Sequence, residues 1–302
     1  MDLLNIYQDC SLCPRECHTD RRIRKGFCQC SEKITAARAA LHFWEEPCIS
    51  GTRGSGAVFF SGCTLRCCFC QNHTISWEVF GKEISVPDLA DIFLRLQDQG
   101  AHNINLVTGT QFVPSILSAL DKIRNKLFIP VVYNCGGYEK SETLDLLDDY
   151  VDIYLPDLKY FDSKKSLRYS KAEDYFSIAS EAILKMIHQK GKPVFDQEGI
   201  LQSGVIIRHM VLPGSYKDSL SLLAWMRENL PQKSFLLSLL SQYTPFYKSS
   251  EYPEINRRLT TYEYNIVLNK AIELGLTDGY MQEKSSAKEE YTPLFDLEGI
   301  EF

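Results

Sequence analysis

The chain lacks any apolar run approaching the roughly 18 residues that a membrane-spanning helix needs, which argues against a membrane partner. Its start, Met1-Asp2-Leu3-Leu4-Asn5, lacks the charged beginning and apolar stretch of a secretory signal, so the expected location is cytoplasmic. A positive charge balance is also missing: the formal net charge is −6, which gives no sign of nucleic-acid affinity. Basic clusters are short, and Arg21-Arg22-Ile23-Arg24-Lys25 reads as a solvated face. There is no internal repeat and no low-complexity run. The glycines from Gly51 to Gly56 lack the Lys-Ser/Thr ending of a phosphate loop, which leaves a tight turn entering a strand. Cysteine is nearly absent from most of the chain, because ten of the eleven lie within residues 10–70. In a reduced compartment such crowding points away from disulfides and toward metal ligation or catalysis.

What is present is core material. The 302 residues are 44% hydrophobic, with 16 Phe and 16 Tyr, enough for one α/β barrel or one domain with a small appendage. Short β-branched or aromatic runs predict buried parallel strands over Ala57–Ser61, Ile104–Thr108, Ile129–Asn134, Val151–Leu155, Gly204–Val211 and Ser234–Leu239. Helical spacing predicts helices over Pro87–Leu96, Pro114–Ile123, Ser141–Tyr150, Ala172–Gln189, Tyr216–Asn229 and Thr260–Leu274. Six strands alternating with helices imply a parallel sheet with right-handed crossovers, two units short of a closed barrel. The expected fold class is α/β: a partial (β/α)6 barrel of the TIM type with a cysteine-rich N-terminal extension. The expected division is residues 1–50, irregular and metal-binding; 51–280, the barrel; and 281–302, a tail, with Lys284 to Glu290 charged and mobile.

Active sites of such sheets lie at the C-terminal ends of the strands, and the chemically notable residues fall there. After the first strand come Cys63, Cys67 and Cys70, spaced C-x3-C-x2-C. Thiolates select iron–sulfur clusters or zinc. A [4Fe–4S] cube in an electron carrier takes four cysteines, so three would leave one iron open to a substrate or cofactor. The alternatives are a zinc site completed by Cys68 or His73, or plain core cysteines; Cys68 itself reads as structural. After later strands come Thr108-Gly109-Thr110, Asn134, Asp157 with Lys159, Arg208 and Gln242.

The C-x3-C-x2-C loop after a first strand, with Phe69 before the last cysteine, resembles the signature of the radical S-adenosylmethionine (SAM) superfamily. Further segments are similar to its pyruvate formate-lyase activating enzyme-like branch: Ala36 to Pro47, Ile49 to Gly56, Ser61 to Asn72, Tyr154 to Tyr160 and Arg208 to Gly214. The resemblance implies a [4Fe–4S] cluster whose open iron binds SAM, and reductive cleavage of SAM to a 5′-deoxyadenosyl radical that abstracts hydrogen from a substrate. It implies that Thr108-Gly109-Thr110 stands where relatives carry a Gly-Gly-rich turn for the methionine amino group, a pattern from which this sequence departs. Asp157 and Lys159 match an Asp-x-Lys element at the SAM carboxylate. Arg208 would stand near the carboxylate or ribose, Asn134 near the methionine, and Gln242 near the adenosine. Plainer roles stay open: a surface ion pair for Asp157 and Lys159, a structural partner for Arg208, a turn-former for Asn134.

Ahead of the barrel, Cys10, Cys13, Cys17 and Cys28 supply four thiols in an irregular segment, with Cys30 and Cys48 as spares. Such density suits structural zinc or a second iron–sulfur cluster, the alternative being free thiols. Three functions compete: a radical SAM enzyme activating a glycyl-radical protein, one acting on another substrate, and a non-catalytic iron–sulfur carrier or metal-stabilised binding module. The enzyme readings require an electron donor such as flavodoxin or ferredoxin, and the first a protein substrate.

Overall fold

The computed structural model describes residues 3–282 and 293–301. Ten strands form one sheet: β1 (Ile34–His42), β2 (Ser55–Phe60), β3 (Lys82–Ile84), β4 (Ile104–Val107), β5 (Val131–Cys135), β6 (Ile153–Pro156), β7 (Val194–Phe195), β8 (Leu201–Met210), β9 (Leu236–Leu240) and β10 (Gly279–Met281). Their spatial order is β10-β9-β8-β6-β5-β4-β2-β1-β3, with β7 paired to β8 off that path. The six expected strands are β2, β4, β5, β6, β8 and β9, adjacent in that sequence and mutually parallel. The sheet ends on β3 and β10 rather than closing, so the fold is mixed α/β with an open, barrel-like parallel sheet.

The helices follow local chemistry. Val86–Asp98 starts at a reciprocal Ser85–Asp88 capping box with Pro in its first turn, and Thr261–Glu273 starts at the equivalent Thr260–Glu263 pair. One helix, Ser163–Ser170, had no apolar period to betray it; Asp162 accepts the Lys164 N–H at 2.8 Å and caps it. Among the described residues no helix is long and apolar enough to cross a membrane.

Strand alternation divides the core in two. Phe60, Leu106, Tyr133, Tyr154, Val205 and Leu239 point to the helical layer. Val132, Ile153, Leu155, Leu201 and Ile206 point inside the barrel and pack on Cys48 and Ile49 of the short helix Pro47–Ser50. Burying these apolar side chains is worth about 1.5–3 kcal/mol each.

Three readings of the sequence change here. Residues 1–50 are not uniformly irregular: β1 pairs antiparallel with β2, from Ala36 opposite Phe60 to His42 opposite Ser55. Its alanines carry too little hydrophobic contrast to show a period. Because Cys48 and Ile49 fill the barrel, a boundary at residue 50 falls inside the β1–β2 connection. Arg21 leaves the solvated face assigned to it, being 1% exposed while Arg22 to Lys25 are exposed. A seventh parallel strand, β10, is three residues long and begins at a glycine, too brief for a sequence signal.

Part of the expected tail is built in. The Leu297 N–H donates to the Ala37 carbonyl at 3.1 Å and the Ala39 N–H to the Glu298 carbonyl at 2.8 Å, so this segment covers the outer edge of β1. Ile300 anchors it in the core. The charged stretch Lys284 to Glu290 lies outside the described residues. Gly299 has φ +71°, and a Cβ there would lie 1.9 Å from the Ala39 carbonyl oxygen. Gly299→Ala is therefore expected to lift the segment off β1, costing about 1–3 kcal/mol. A lowered midpoint of unfolding and faster proteolysis near residue 300 would report it; an unchanged protease pattern would contradict it.

Candidate active site

The chain leaves β2 at Phe60 and turns sharply at Gly62, whose φ is +84° and whose missing side chain leaves room for the Cys30 sulfur. The following loop carries the three spaced cysteines, and each sulfur accepts a hydrogen bond. Cys63 Sγ takes the Leu65 N–H at 3.4 Å, Cys67 Sγ the Ser170 hydroxyl at 2.9 Å, and Cys70 Sγ the Ser76 hydroxyl at 3.3 Å. The Trp77 indole N–H holds the Cys67 carbonyl at 3.0 Å. Phe69 also lines the cavity and is held edge-on by Tyr169 and Tyr243. Burial pushes all three thiols up, Cys70 to about 12, while the nearby Lys159 ammonium opposes the rise at Cys63 and Cys67. All three line a cavity of about 240 Å³ at the C-terminal ends of the strands; Cys68 does not, in keeping with a structural role.

Opposite the cysteines stands a set of charges. Asn105, Asn134, Asp157 and Arg208 occupy inward positions on or beside successive strands, the alternation that also buries Val132, Leu155 and Ile206 below them. Arg208 donates through Nε to Asp157 at 3.0 Å, through Nη1 to Glu45 at 3.2 Å, and through Nη2 to Asn134. Glu45 also accepts from Asn105 at 3.0 Å and from Asn134 at 3.2 Å. Lys159 pairs with Asp157, as spacing by two along an extended segment requires. Burial alone would raise the Asp157 carboxyl, but Lys159 and Arg208 hold it below its usual value. Burial raises Glu45 and Glu46 despite Arg208.

The Thr108-Gly109-Thr110 turn divides. Thr108 and Thr110 reach the cavity wall; Gly109 does not, and a Cβ there would meet Ile116 at 2.9 Å in the helical layer. Thr108 holds a left-handed φ of +58°, uncommon for a β-branched residue. Its N–H donates to the Asn134 carbonyl at 2.8 Å, and its carbonyl accepts the Gln111 amide at 2.8 Å. The same amide reaches the carbonyls of Ser61 at 2.9 Å and Gly62 at 3.3 Å, tying this turn to the cysteine loop. Gln242 stands in the cavity wall and accepts from Gln282 at 3.0 Å.

Sequence reasoning passed over Glu45, Gln111 and Glu139. Adjacent acids before a proline, Glu45-Glu46-Pro47, were a signal for the first. Glu139 had none: its carboxylate accepts from Thr110 Oγ1 at 2.9 Å and from the Tyr133 hydroxyl at 3.1 Å, inside the cavity wall beside Cys135.

An open parallel barrel with three closely spaced thiols after its first strand, facing a charged cavity, defines a class of cluster-binding α/β proteins. The comparisons make the class specific: the radical SAM superfamily model matches residues 57–235, and the chain belongs to that superfamily. It is 34% identical over 281 residues to an uncharacterised protein of Methanocaldococcus jannaschii, covering 89% of this chain and 75% of that one. It is 27% identical over 165 residues to the pyruvate formate-lyase-activating enzyme of Clostridium pasteurianum, covering 52% of this chain and 61% of that one. In fold it is similar to Streptococcus suis SuiB bound to precursor peptide SuiA, with TM-score 0.50 and 14% identity over 73% of this chain. The match spans 46% of the SuiB chain. SuiB has also been solved bound to SAM. The family's cofactors are a [4Fe–4S] cluster and SAM. The site fits them: three hydrogen-bonded sulfurs and a mixed-charge cavity are the donor set that a cluster and a zwitterionic sulfonium need.

Burial pushes the Glu139 carboxyl up to about 7, against hydrogen bonds from Thr110 and Tyr133 that favour its charged form. An unfolded carboxyl titrates near 4.5, so the folded state binds this proton more tightly. The stability it contributes is complete below that pH and is lost as pH rises through about 7. At 1.36 kcal/mol per pH unit the loss is on the order of 3 kcal/mol. Glu139→Gln should flatten the dependence of the urea midpoint on pH across this window; an unchanged slope would rule the assignment out.

Proposed function

We propose that this protein is a radical SAM enzyme in which Cys63, Cys67 and Cys70 ligate three irons of a [4Fe–4S] cluster and leave the fourth to SAM. The observation that carries the reading is that the three sulfurs and the Arg208 network open onto one cavity. When bound and reduced, the cluster and SAM supply a 5′-deoxyadenosyl radical that abstracts hydrogen from the substrate. The chain's own residues orient and enclose. Lys159 and Arg208 present positive charge to a carboxylate, while Asp157 and Glu45 present negative charge to an ammonium group. Asn134 and the Thr108 and Thr110 end of the turn offer neutral polar contacts, and Gln242 lies on the side assigned to the adenosine. Ser76, Ser170 and the Leu65 N–H hold the sulfur lone pairs, which keeps the loop in one ligating geometry.

A polypeptide substrate is the reading favoured here. It draws on similarity to a pyruvate formate-lyase-activating enzyme and on fold similarity to a protein solved with a precursor peptide. A glycyl-radical protein is one such substrate. A non-catalytic cluster carrier is less well supported, because burying two cations and two acids at a cavity wall is costly and a carrier has no use for it. Domain roles follow the same division, with the cysteine-rich segment ahead of β1 serving the barrel and residues 293–301 serving as its edge strap.

The test is anaerobic reconstitution, reduction and assay for 5′-deoxyadenosine. Wild type is expected to form it, and Cys67→Ala to lose the product together with the iron held by this loop. A wild type with intact cluster and no SAM cleavage would refute the enzyme reading.

Electrons need a route in. Trp77, bonded to the Cys67 carbonyl, is bracketed by Arg66 at 4.2 Å, Lys248 at 4.8 Å and Lys171 at 4.9 Å from its ring centroid. In a chain of net charge −6, this cationic surface directly over the cluster loop suits an acidic one-electron donor. Lys171→Glu/Lys248→Glu should slow reduction by flavodoxin about tenfold at low salt, with reduction by dithionite unchanged. Equal slowing with both reductants would contradict a docking role.

A further inference from the structure

Four cysteines outside the cavity form a group of their own. The segment 10–19 doubles back: Cys10 pairs with Thr19 in an antiparallel bridge, and the His18 N–H returns to the Cys10 carbonyl at 3.1 Å. The Glu16 N–H returns to the Cys13 carbonyl at 3.0 Å. This places Cys10, Cys13 and Cys17 on one doubled-back turn. A second arm brings Cys28. A Cβ added to Gly26 would lie 3.3 Å from Cys17 Sγ, 3.7 Å from Cys28 Sγ and 3.8 Å from Arg21 Cδ, so two sulfurs flank the one position without a side chain. Cys10 Sγ is 3.8 Å from Arg21 Nη1, and Cys13 lies within electrostatic reach of both Cys10 and Cys28.

Arg21 is the independent observation. Its guanidinium lies against the Tyr7 and Phe112 rings at 4.8 and 5.6 Å, and it donates to the carbonyls of Cys30, Ser31 and Gln111. Its titratable neighbours are Cys28, Tyr7 and Cys10, two thiols and a phenol rather than carboxylates. A buried cation without a counter-charge costs several kcal/mol. Thiolate sulfurs on a divalent metal carry that counter-charge: four of them leave the centre net negative beside the guanidinium. The remaining thiols are otherwise committed. Cys30 donates to the Ser61 carbonyl at 3.2 Å and its sulfur lies against the Cys28 thiol, beside the centre, while Cys48 fills the barrel.

We propose that Cys10, Cys13, Cys17 and Cys28 form a second, structural metal centre, ligating zinc or an iron–sulfur cluster through four thiolates whose negative charge Arg21 partly offsets. Among the described residues no three ligating groups close tightly enough for a single ion, so binding would require the sulfurs to be drawn together by side-chain rotation about this turn. The centre would order a segment that otherwise holds a small apolar cluster and a single short 3-10 helix.

The decisive measurement is made where the other site is absent. The full chain carrying Cys63→Ala/Cys67→Ala/Cys70→Ala, purified without oxygen, is assayed for zinc, iron and acid-labile sulfide. It is expected to retain stoichiometric zinc, or iron with sulfide, and to lose it on adding Cys13→Ser and Cys17→Ser. Neither metal in a triple variant with native circular dichroism overturns the proposal, as does metal that survives the added substitutions. Should the fivefold variant fold poorly, the triple variant still decides. Cys13 and Cys17 are half-buried and should resist iodoacetamide until a strong chelator is added. Rapid labelling of both before any chelator is added overturns the proposal.

Discussion

The Arg208 guanidinium is the contact on which the site depends. It reaches Asp157 beyond β6, Asn134 on β5 and Glu45 in the β1–β2 connection, so one buried side chain fixes three separate pieces of chain. Removing one partner of such a buried set typically costs about 3–5 kcal/mol, because the others remain desolvated and unpaired. The network is therefore a registration device as much as a binding surface. It ties together residues of three chain segments that wall the same cavity.

A second linkage joins this wall to the cysteine loop and to the N-terminal segment. The Gln111 side-chain amide spans the carbonyls of Thr108, Ser61 and Gly62, while the Gln111 backbone carbonyl accepts from Arg21. Cys30 packs under Gly62 and donates to the Ser61 carbonyl. The loop that carries Cys63 thus rests on the cysteine-rich segment. Disorder introduced around Cys10 to Cys28 would be transmitted as a change in the backbone beneath the loop, without any contact to the cavity.

Much of the barrel was legible because its signals are local. Six runs such as Ala57–Ser61 and Ile104–Thr108 carry their burial in their own β-branched and aromatic residues, and the C-x3-C-x2-C spacing needs no partner to be read. What escaped depends on partners distant in sequence. Glu45 gains its role from an arginine 163 residues away. Glu139 becomes a cavity acid through Thr110 and Tyr133, which nothing in its neighbourhood announces. Arg21 looked like the first of a basic run, yet its register in the turn buries it among sulfurs while Arg22 to Lys25 meet solvent. β1 escaped for a different reason: its alanines favour a helix locally, and only pairing with the neighbouring strand overrides that preference.

The strap over β1 imposes an order of assembly. The outer edge of β1 at Ala37 and Ala39 finds its hydrogen-bond partners in residues 297 and 298. During synthesis, when chain emerges at about 5–20 residues per second, that edge stays open for the time taken to make some 260 further residues, tens of seconds at this rate. A nascent chain is then a barrel with a sticky margin, and its exposure to pairing with other chains ends only when the strap arrives. Slow translation or premature termination before residue 297 would leave the molecule competent to fold its interior but prone to self-association at this one border.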